Sequence, residues 1–372
     1  MSKTHIPEEV RRLLWLKAAG RCEFEGCNKI LYEGEITKEY GNFGELCHVI
    51  GDSPHGPRGG DKSEKMAKDI RNIVLMCPAC HKIIDSNTDK YTVEVVKEMK
   101  KRHEDRIRLV TGIRHDKKSH VVTYYSKIGK NLPDFSFNTI GSVLFPDYFP
   151  EASNAIEISM KGNALKDSDP IFWEIEDKNL QTAFDYEVKQ RIQHSETKHI
   201  SLFPFADMPL LVRLGTLFND IHELKIYQPH RDTRKWEWQK SGDENIEFQI
   251  IEPTDKSKQP VLVFALSATA ITERIRALYS SRDVSIWTVT CTNPNNDFLK
   301  TEAKLKEFAN FTRVVLDKIK TSSTAFSEIL VHMTMPVACA FTLGHVWMPK
   351  ADMKLVLYDY YNDTENKTIT IE

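Results

Sequence analysis

Five of the seven cysteines of this 372-residue chain fall within its first 80 positions. Four of them form two short pairs, Cys22-x4-Cys27 and Cys77-x2-Cys80, well separated along the chain. Each pair can make one knuckle, and together they offer four thiolates to a tetrahedral structural zinc ion (Zn2+). A small domain with few long apolar stretches would draw much of its folding free energy from that ion. The fifth, Cys47, has no knuckle partner and is read as packed. Cys291 and Cys339 stand alone in apolar runs, where cysteine is usually a small core residue.

The second pair belongs to NIVLMCPACHKIID, residues 72–85. His81 follows Cys80 directly, and Asp85 lies four residues on. On a helix that starts at the knuckle, these two side chains project from one face, one turn apart. An imidazole beside a carboxylate suits a second, catalytic divalent ion, Mg2+ or another, with open positions for water and phosphate. Upstream runs ELCHVIGDSPHGPRGG, residues 45–60. ELCHVI reads as a short strand, and the glycines, prolines and aspartate that follow cannot continue it. His48 therefore stands at the end of a strand and faces an irregular loop. Arg58, in that loop, is a candidate for a phosphate contact.

Two helices frame these residues. PEEVRRLLWLKAAG is amphipathic, starting at Pro7 and ending near Gly20, and TVEVVKEMKKRHEDRIRLV spans residues 92–110. The basic stretch Lys97–Arg102 of the second reads equally well as a solvated helix face.

A strand-end histidine, a loop, an asparagine and a helix histidine beside a zinc knuckle together resemble the HNH nucleases, the ββα-metal family. His48, Asn72 and His81 carry the resemblance, with Cys22, Cys27, Cys77 and Cys80 as scaffold, over roughly residues 10–110. The resemblance implies that His48 is the general base that takes a proton from the attacking water. That role needs a neutral imidazole held to one tautomer. It implies that Asn72 braces the loop and orients His48. His81, with Asp85, would hold the ion that stabilises the pentacoordinate phosphate and the leaving oxygen. The sequence departs from the family at Cys47, where many members place an aspartate or histidine as a further ligand. A thiol is a poor ligand for a hard ion.

Composition sets the wider frame. A hydrophobic content of 41% and a charged content of 28% are those of an ordinary globular protein, long enough for two or three domains. The net charge of −2 offers no bulk attraction to nucleic acid, so any such contact must be local. The first twenty residues lack the apolar core of a signal peptide. No run approaches the roughly 18 apolar residues of a membrane span. The expectation is a cytoplasmic protein with no membrane partner, in which clustered cysteines bind metal rather than form disulfides.

The organisation expected is an α+β zinc domain over residues 1–113, a connector over 114–150 and an α/β domain over 151–372. In the connector, polar turns such as KNLPD and FPDYFPEASN surround short β-rich runs such as HVVTYYS. Beyond it, an apolar strand, a break and a helix recur over 199–218, 259–279 and 327–347. Strands alternating with helices imply parallel βα units in Rossmann-like sheets. Ligands of such sheets gather at the carboxyl ends of strands, where helix N-termini meet phosphates; here these are the helices after Ala206, Leu266 and Met335. None of the three turns carries a GxGxxG or a P-loop, which speaks against dinucleotide cofactors and ATP. KIYQPHRDTRKWEWQ, residues 225–239, brings Arg231, Trp236 and Trp238 together. Cations and flat rings suit nucleobases and phosphates, whereas buried tryptophans would be the structural alternative.

SLFPFADMPLLVRLG, YQPHRD, WEW, VLVFALSAT and HVWMPKADMKLVLYD, in that order, resemble the SAVED domain over about residues 150–372. This resemblance implies two fused CARF-like Rossmann units that sense a cyclic oligonucleotide. Candidate ligand-binding residues are then Arg231, Trp236, Trp238, Ser267, Thr269 and Lys350. HNH followed by SAVED is the architecture of effector nucleases in bacterial CBASS anti-phage systems. It implies a cyclic dinucleotide activator (cGAMP-like), homo-oligomer formation on activation, and non-specific cleavage of double-stranded DNA. The alternatives are a modification-dependent restriction endonuclease and a zinc protein that binds nucleic acid without cutting it. Residues 114–372 hold more acidic than basic side chains, which counts against a DNA reader there.

Overall fold

The computed structural model describes residues 4–126, 133–159, 165, 167–169, 171–219, 221, 223–361 and 363–372. The chain divides into two compact units, Met1–Arg114 and His115–Glu372. Residues 130–132 of the KNLPD turn lie outside the described residues.

The first unit contains α1 (Glu8–Lys17), β1 (Glu45–His48), α2 (Ser63–Met66), β2 (Ile73–Met76), α3 (Pro78–Ser86) and α4 (Val93–Thr111). Strands β1 and β2 pair antiparallel, with Cys47 opposite Val74 and His48 opposite Ile73. Proline at the first position of α3 fits a helix start, because its missing N–H is unpaired there anyway. Thr92 caps α4 by accepting from the Val95 N–H. The core of this unit gathers Leu14, Leu31, Cys47, Ile73, Leu75, Ile84 and Val96. All four residues of β2 are buried, which explains its unbroken apolar run.

The basic stretch of α4 is largely neutralised by neighbouring acids. Lys100 is buried against Glu104, Lys101 pairs with Asp105, and Arg102 bridges Glu98 and Glu25. The solvated-face reading holds for Lys101 and Arg102.

The second unit holds two sheets. The first has the order β4-β3-β6-β7, with β5 also on β3: β3 is Lys118–Tyr125, β4 Phe149–Pro150, β5 Ile156–Glu157, β6 Ile200–Phe205 and β7 Leu224–Ile226. Every pairing in it is parallel. The second has the order β13-β12-β11-β9-β10-β8: β8 is Phe248–Ile251, β9 Gln259–Ala265, β10 Val284–Cys291, β11 Glu328–Thr334, β12 Lys354–Tyr361 and β13 Thr364–Ile371. Its four central strands are parallel, and β8 and β13 close its edges antiparallel. The helices are α5 (Phe137–Val143), α6 (Phe172–Ala183), α7 (Gln190–His194), α8 (Met208–Leu217), α9 (Ala270–Leu278), α10 (Glu302–Ser322) and α11 (Val337–Val346), with a π-helix at Phe184–Lys189.

The three expected βα units are β6–α8, β9–α9 and β11–α11. The β-rich run of the connector is part of the second unit. Residues 118–125 form an interior strand that pairs with β6 from His120–Ile200 to Tyr125–Phe205. All but its two end residues are buried.

Helices α8 and α11 cross backbone to backbone. A Cβ on Gly215 would stand 2.1 Å from the Phe341 carbonyl, and one on Gly344 1.8 Å from that of Val212. Only glycine fits such an approach. One continuous core runs from the β6 and α8 residues Leu202 and Leu211 to Phe341 of α11 and Val331 of β11.

Candidate functional site

Cys22, Cys27, Cys77 and Cys80 offer sulfur atoms that all lie within 4.8 Å of one another. Tetrahedral thiolate sites with metal–sulfur bonds of about 2.3 Å need a similar spread. The Cys77 N–H donates to Cys22 Sγ at 3.3 Å, the support a knuckle thiolate needs. Burial pushes the Cys22 thiol up to about 12, so a cation at the centre of the group is what would favour its thiolate. Cys47 is outside the group. It is fully buried, and burial raises its thiol well above the usual range.

His48 ends β1 and is 7% exposed. Its Nε2 lies 2.9 Å from the Ala67 carbonyl oxygen. A carbonyl only accepts, so Nε2 carries a proton, and of the two neutral tautomers this contact selects the one with its lone pair on Nδ1. The hydrogen bond selects the tautomer that a base requires.

Asn72 stands on the last turn of a short 3-10 helix that leads into β2. Its Oδ1 accepts from the Ile50 N–H at 2.8 Å, and its Nδ2 donates to the Ile50 carbonyl at 2.9 Å and the Met66 carbonyl at 3.2 Å. Its backbone carbonyl accepts from the Val49 N–H at 2.8 Å. One buried amide therefore fixes the chain on the C-terminal side of His48 and the segment that precedes Ala67.

His81 projects from α3 between two carboxylates. Nδ1 is 2.7 Å from Glu45 Oε2, and Nε2 is 3.1 Å from Asp85 Oδ2. The bond to Asp85, opposed by burial and helped by Glu45, lifts the imidazole above its usual pKa. Burial works against the Asp85 carboxylate, yet hydrogen bonds from His81 and Arg58 outweigh it and hold the carboxyl below its usual range. Glu45 went unremarked in the sequence, although strand alternation sets it on the same face as Cys47.

Arg58 corrects the expected phosphate contact. Its side chain is 3% exposed, and its guanidinium donates to the carbonyls of His48, Val49 and Ile84 and to Asp85. It holds the glycine- and proline-rich loop against β1 and α3.

In the second unit, the carboxyl edges of the two sheets are joined by Gln228. It follows β7, and its Oε1 accepts from the Ala338 N–H at the start of α11. Ser267 lies on the same edge, its N–H donating to the Thr334 carbonyl at the end of β11. Thr269 stands exposed at the start of α9, whose first turn has no side-chain cap. The start of α11 already faces the Gln228 side chain, whereas Asp207 precedes α8 without making a side-chain capping bond. Burial, reinforced by Asp359, raises Asp207 to about 7. Arg231 is exposed beyond β7, in a turn fixed by Asp297, which accepts from the N–H groups of Arg231 and Asp232.

Two ligand candidates need correction, and a third is only partly open. Trp236 is 1% exposed, packs edge-on to Phe135 and Phe203, and donates to the Asp134 carbonyl. Its ring fills the core beneath β6 and β7, where no base can stack. Trp238 is half-buried and donates to the Ile226 carbonyl, which leaves part of its ring exposed. The second correction is Lys350, which lies in the loop before β12, whose first residue Lys354 pairs with Glu328 at the start of β11. It therefore sits at the amino edge of the sheet, opposite Ser267 and Thr269. A cavity of about 360 Å³ between α6, the π-helix and β5 is lined by Glu157, Glu176 and Glu187, charges that repel a phosphodiester. No described helix is long and apolar enough to cross a membrane.

Solved structures similar to this chain include a Cap4 SAVED/CARF-domain containing receptor from Acinetobacter baumannii with the cyclic trinucleotide 3'3'3'-cAAA, at 14% identity and a TM-score of 0.43. That match covers 76% of this chain and 61% of the receptor. The Cap4 receptor of Moraxella osloensis is similar at 12% identity and a TM-score of 0.39, over 76% of this chain and 61% of that one. The chain thus spans less than two thirds of the length of these receptors. No curated protein matches. The family model described as SMODS-associated and fused to various effectors sensor domain, SAVED, matches residues 180–371. That span is more than half of the chain and contains the α8–α11 crossing and the joined carboxyl edges, so this protein belongs to the SAVED family.

Proposed function

We propose that the chain is a ligand-gated effector in which a cyclic oligonucleotide binds the SAVED unit and the N-terminal unit, an HNH-type endonuclease, cuts double-stranded DNA. The observation that carries the nuclease reading is the His48–Ala67 hydrogen bond, which leaves Nδ1 free to take a proton from water. The Asn72 clamp on Ile50 and Met66 supports it. A module that only binds zinc has no use for a tautomer-selected histidine, a clamping asparagine and a helix histidine side by side. Zinc would sit among the four cysteines and hold the scaffold. The catalytic ion, Mg2+ or another divalent ion, would be held beside His81 and supply Lewis-acid stabilisation of the phosphate charge.

Sensing by the SAVED unit follows from the family. The residues that support a phosphate contact are Ser267 and Thr269 at the open start of α9, and Arg231 beyond β7. Gating acts through assembly, because cutting a duplex takes two sites on opposite strands and a ligand that favours the assembled form brings them together. A cyclic dinucleotide is the first candidate, with trinucleotides the alternative. The test is plasmid degradation with Mg2+ against a panel of cyclic di- and trinucleotides, with light scattering in parallel. The expected result is cleavage and larger particles with one cognate nucleotide and neither without it. Full cleavage by a ligand-free monomer, or none with any member and any divalent ion, would overturn the proposal.

A further inference from the structure

The imidazole of His81 is clasped by carboxylates from two different elements, Glu45 of β1 and Asp85 of α3. The two acids are not equivalent. Asp85 already faces a cation: Arg58 Nη2 lies 2.7 Å from its Oδ1. That guanidinium is buried and tied to three carbonyls, so it cannot swing away. A divalent ion on Asp85 would stand next to a fixed positive charge. Glu45 is different. Its side chain is 47% exposed, and no lysine or arginine pairs with it among the described residues.

Cys47 adds a second argument. It is the other candidate donor on the strand face of Glu45, but its buried thiol is unsuited to Mg2+. Glu45 lies two residues earlier on the same strand face and brings a carboxylate to within 2.7 Å of the His81 ring.

We propose that Glu45 and Nδ1 of His81 are the protein ligands of the catalytic ion, and that Asp85 is a positioning residue that holds His81 through its Nε2–H. The inference rests on the nuclease reading. Metal-bound histidines commonly give their other N–H to a carboxylate in this way, which fixes the ring and raises its basicity. Arg58 then has a purpose beyond the loop: it keeps Asp85 ionised and oriented without letting it compete for the metal.

The experiment is Mn2+ titration of the zinc-loaded full chain, with free Mn2+ followed by electron paramagnetic resonance. Zinc content and melting temperature serve as folding controls. Wild type should bind one Mn2+ beyond the zinc. Glu45→Gln should abolish measurable binding, and adding Cys47→Asp in that background should restore it, since a carboxylate returns to the same face. Asp85→Asn should keep one Mn2+ with affinity reduced about 10–100-fold, the usual cost of losing an outer partner. Unchanged Mn2+ binding by Glu45→Gln, with complete loss in a folded Asp85→Asn, would overturn the assignment. Failure of the nuclease reading looks different: wild type would bind Mn2+ and cut no DNA with any nucleotide.

Discussion

Asn72 and Ile50 are joined by a reciprocal pair of hydrogen bonds, 2.8 Å from the Ile50 N–H and 2.9 Å to its carbonyl, so that one side-chain amide replaces a strand partner just where β1 has ended. Asn72→Asp keeps the acceptor and loses the donor, and leaves two buried carbonyls beside a carboxylate. The expected cost is about 1–3 kcal/mol of stability in the N-terminal unit, read by denaturant unfolding. Cleavage should fall as well, because the chain behind His48 loosens. A variant with wild-type stability and activity would remove Asn72 from the positioning role.

His48→Ala tests the base itself. Loss of a general base typically lowers the rate about 10²–10⁴-fold. Zinc content and nucleotide binding should be unchanged, since His48 makes one side-chain hydrogen bond, to Ala67, and touches no cysteine of the cluster. The check is plasmid cleavage under cognate nucleotide, together with zinc analysis.

Scaffold and chemistry should separate on substitution. Cys80→Ser removes one of four converging sulfurs and should lower both zinc content and the melting temperature of the first unit. His81→Ala should remove cleavage with a much smaller change in melting, because His81 is only partly buried. Equal destabilisation by both would join the two proposed metal sites into one structural role.

In the second unit, the exposed cations Arg231 and Lys350 should behave differently. Arg231→Ala, at the carboxyl edge, should raise the nucleotide concentration for half-maximal cleavage about tenfold, the loss of one charge-assisted contact. Lys350→Ala, at the amino edge, should leave it unchanged. Trp236→Ala should cost about 3–5 kcal/mol of stability, as a core aromatic does, rather than act on nucleotide affinity. Dose–response curves and thermal melts on the same preparations read all three.

These contrasts show where the sequence was informative. Spacing alone brought Cys22, Cys27, Cys77 and Cys80 together, because knuckle geometry is local to each pair. The βα units 199–218, 259–279 and 327–347 announced themselves through apolar strands followed by helical patterns. Arg58 was misread because its type suits both a phosphate and a set of backbone carbonyls, and only the fold decides which it meets. Trp236 failed likewise: a flat ring reads as a stacking platform until Phe203 and Phe135 are found against it. Lys350 was misplaced because sequence order does not tell one end of a sheet from the other. Glu45 carried a faint signal, two residues from Cys47, that gained meaning only when α3 brought His81 opposite it.

The glycine contact between α8 and α11 gives the sensor an unusual stiffness. Where helices meet through long side chains, rotamer changes absorb small displacements, but at Gly215 and Gly344 there is nothing to compress. A shift at the start of α11, where the Ala338 N–H donates to Gln228, is expected to pass to α8 with little loss. An alanine at either glycine would force the two helices apart rather than merely soften their contact.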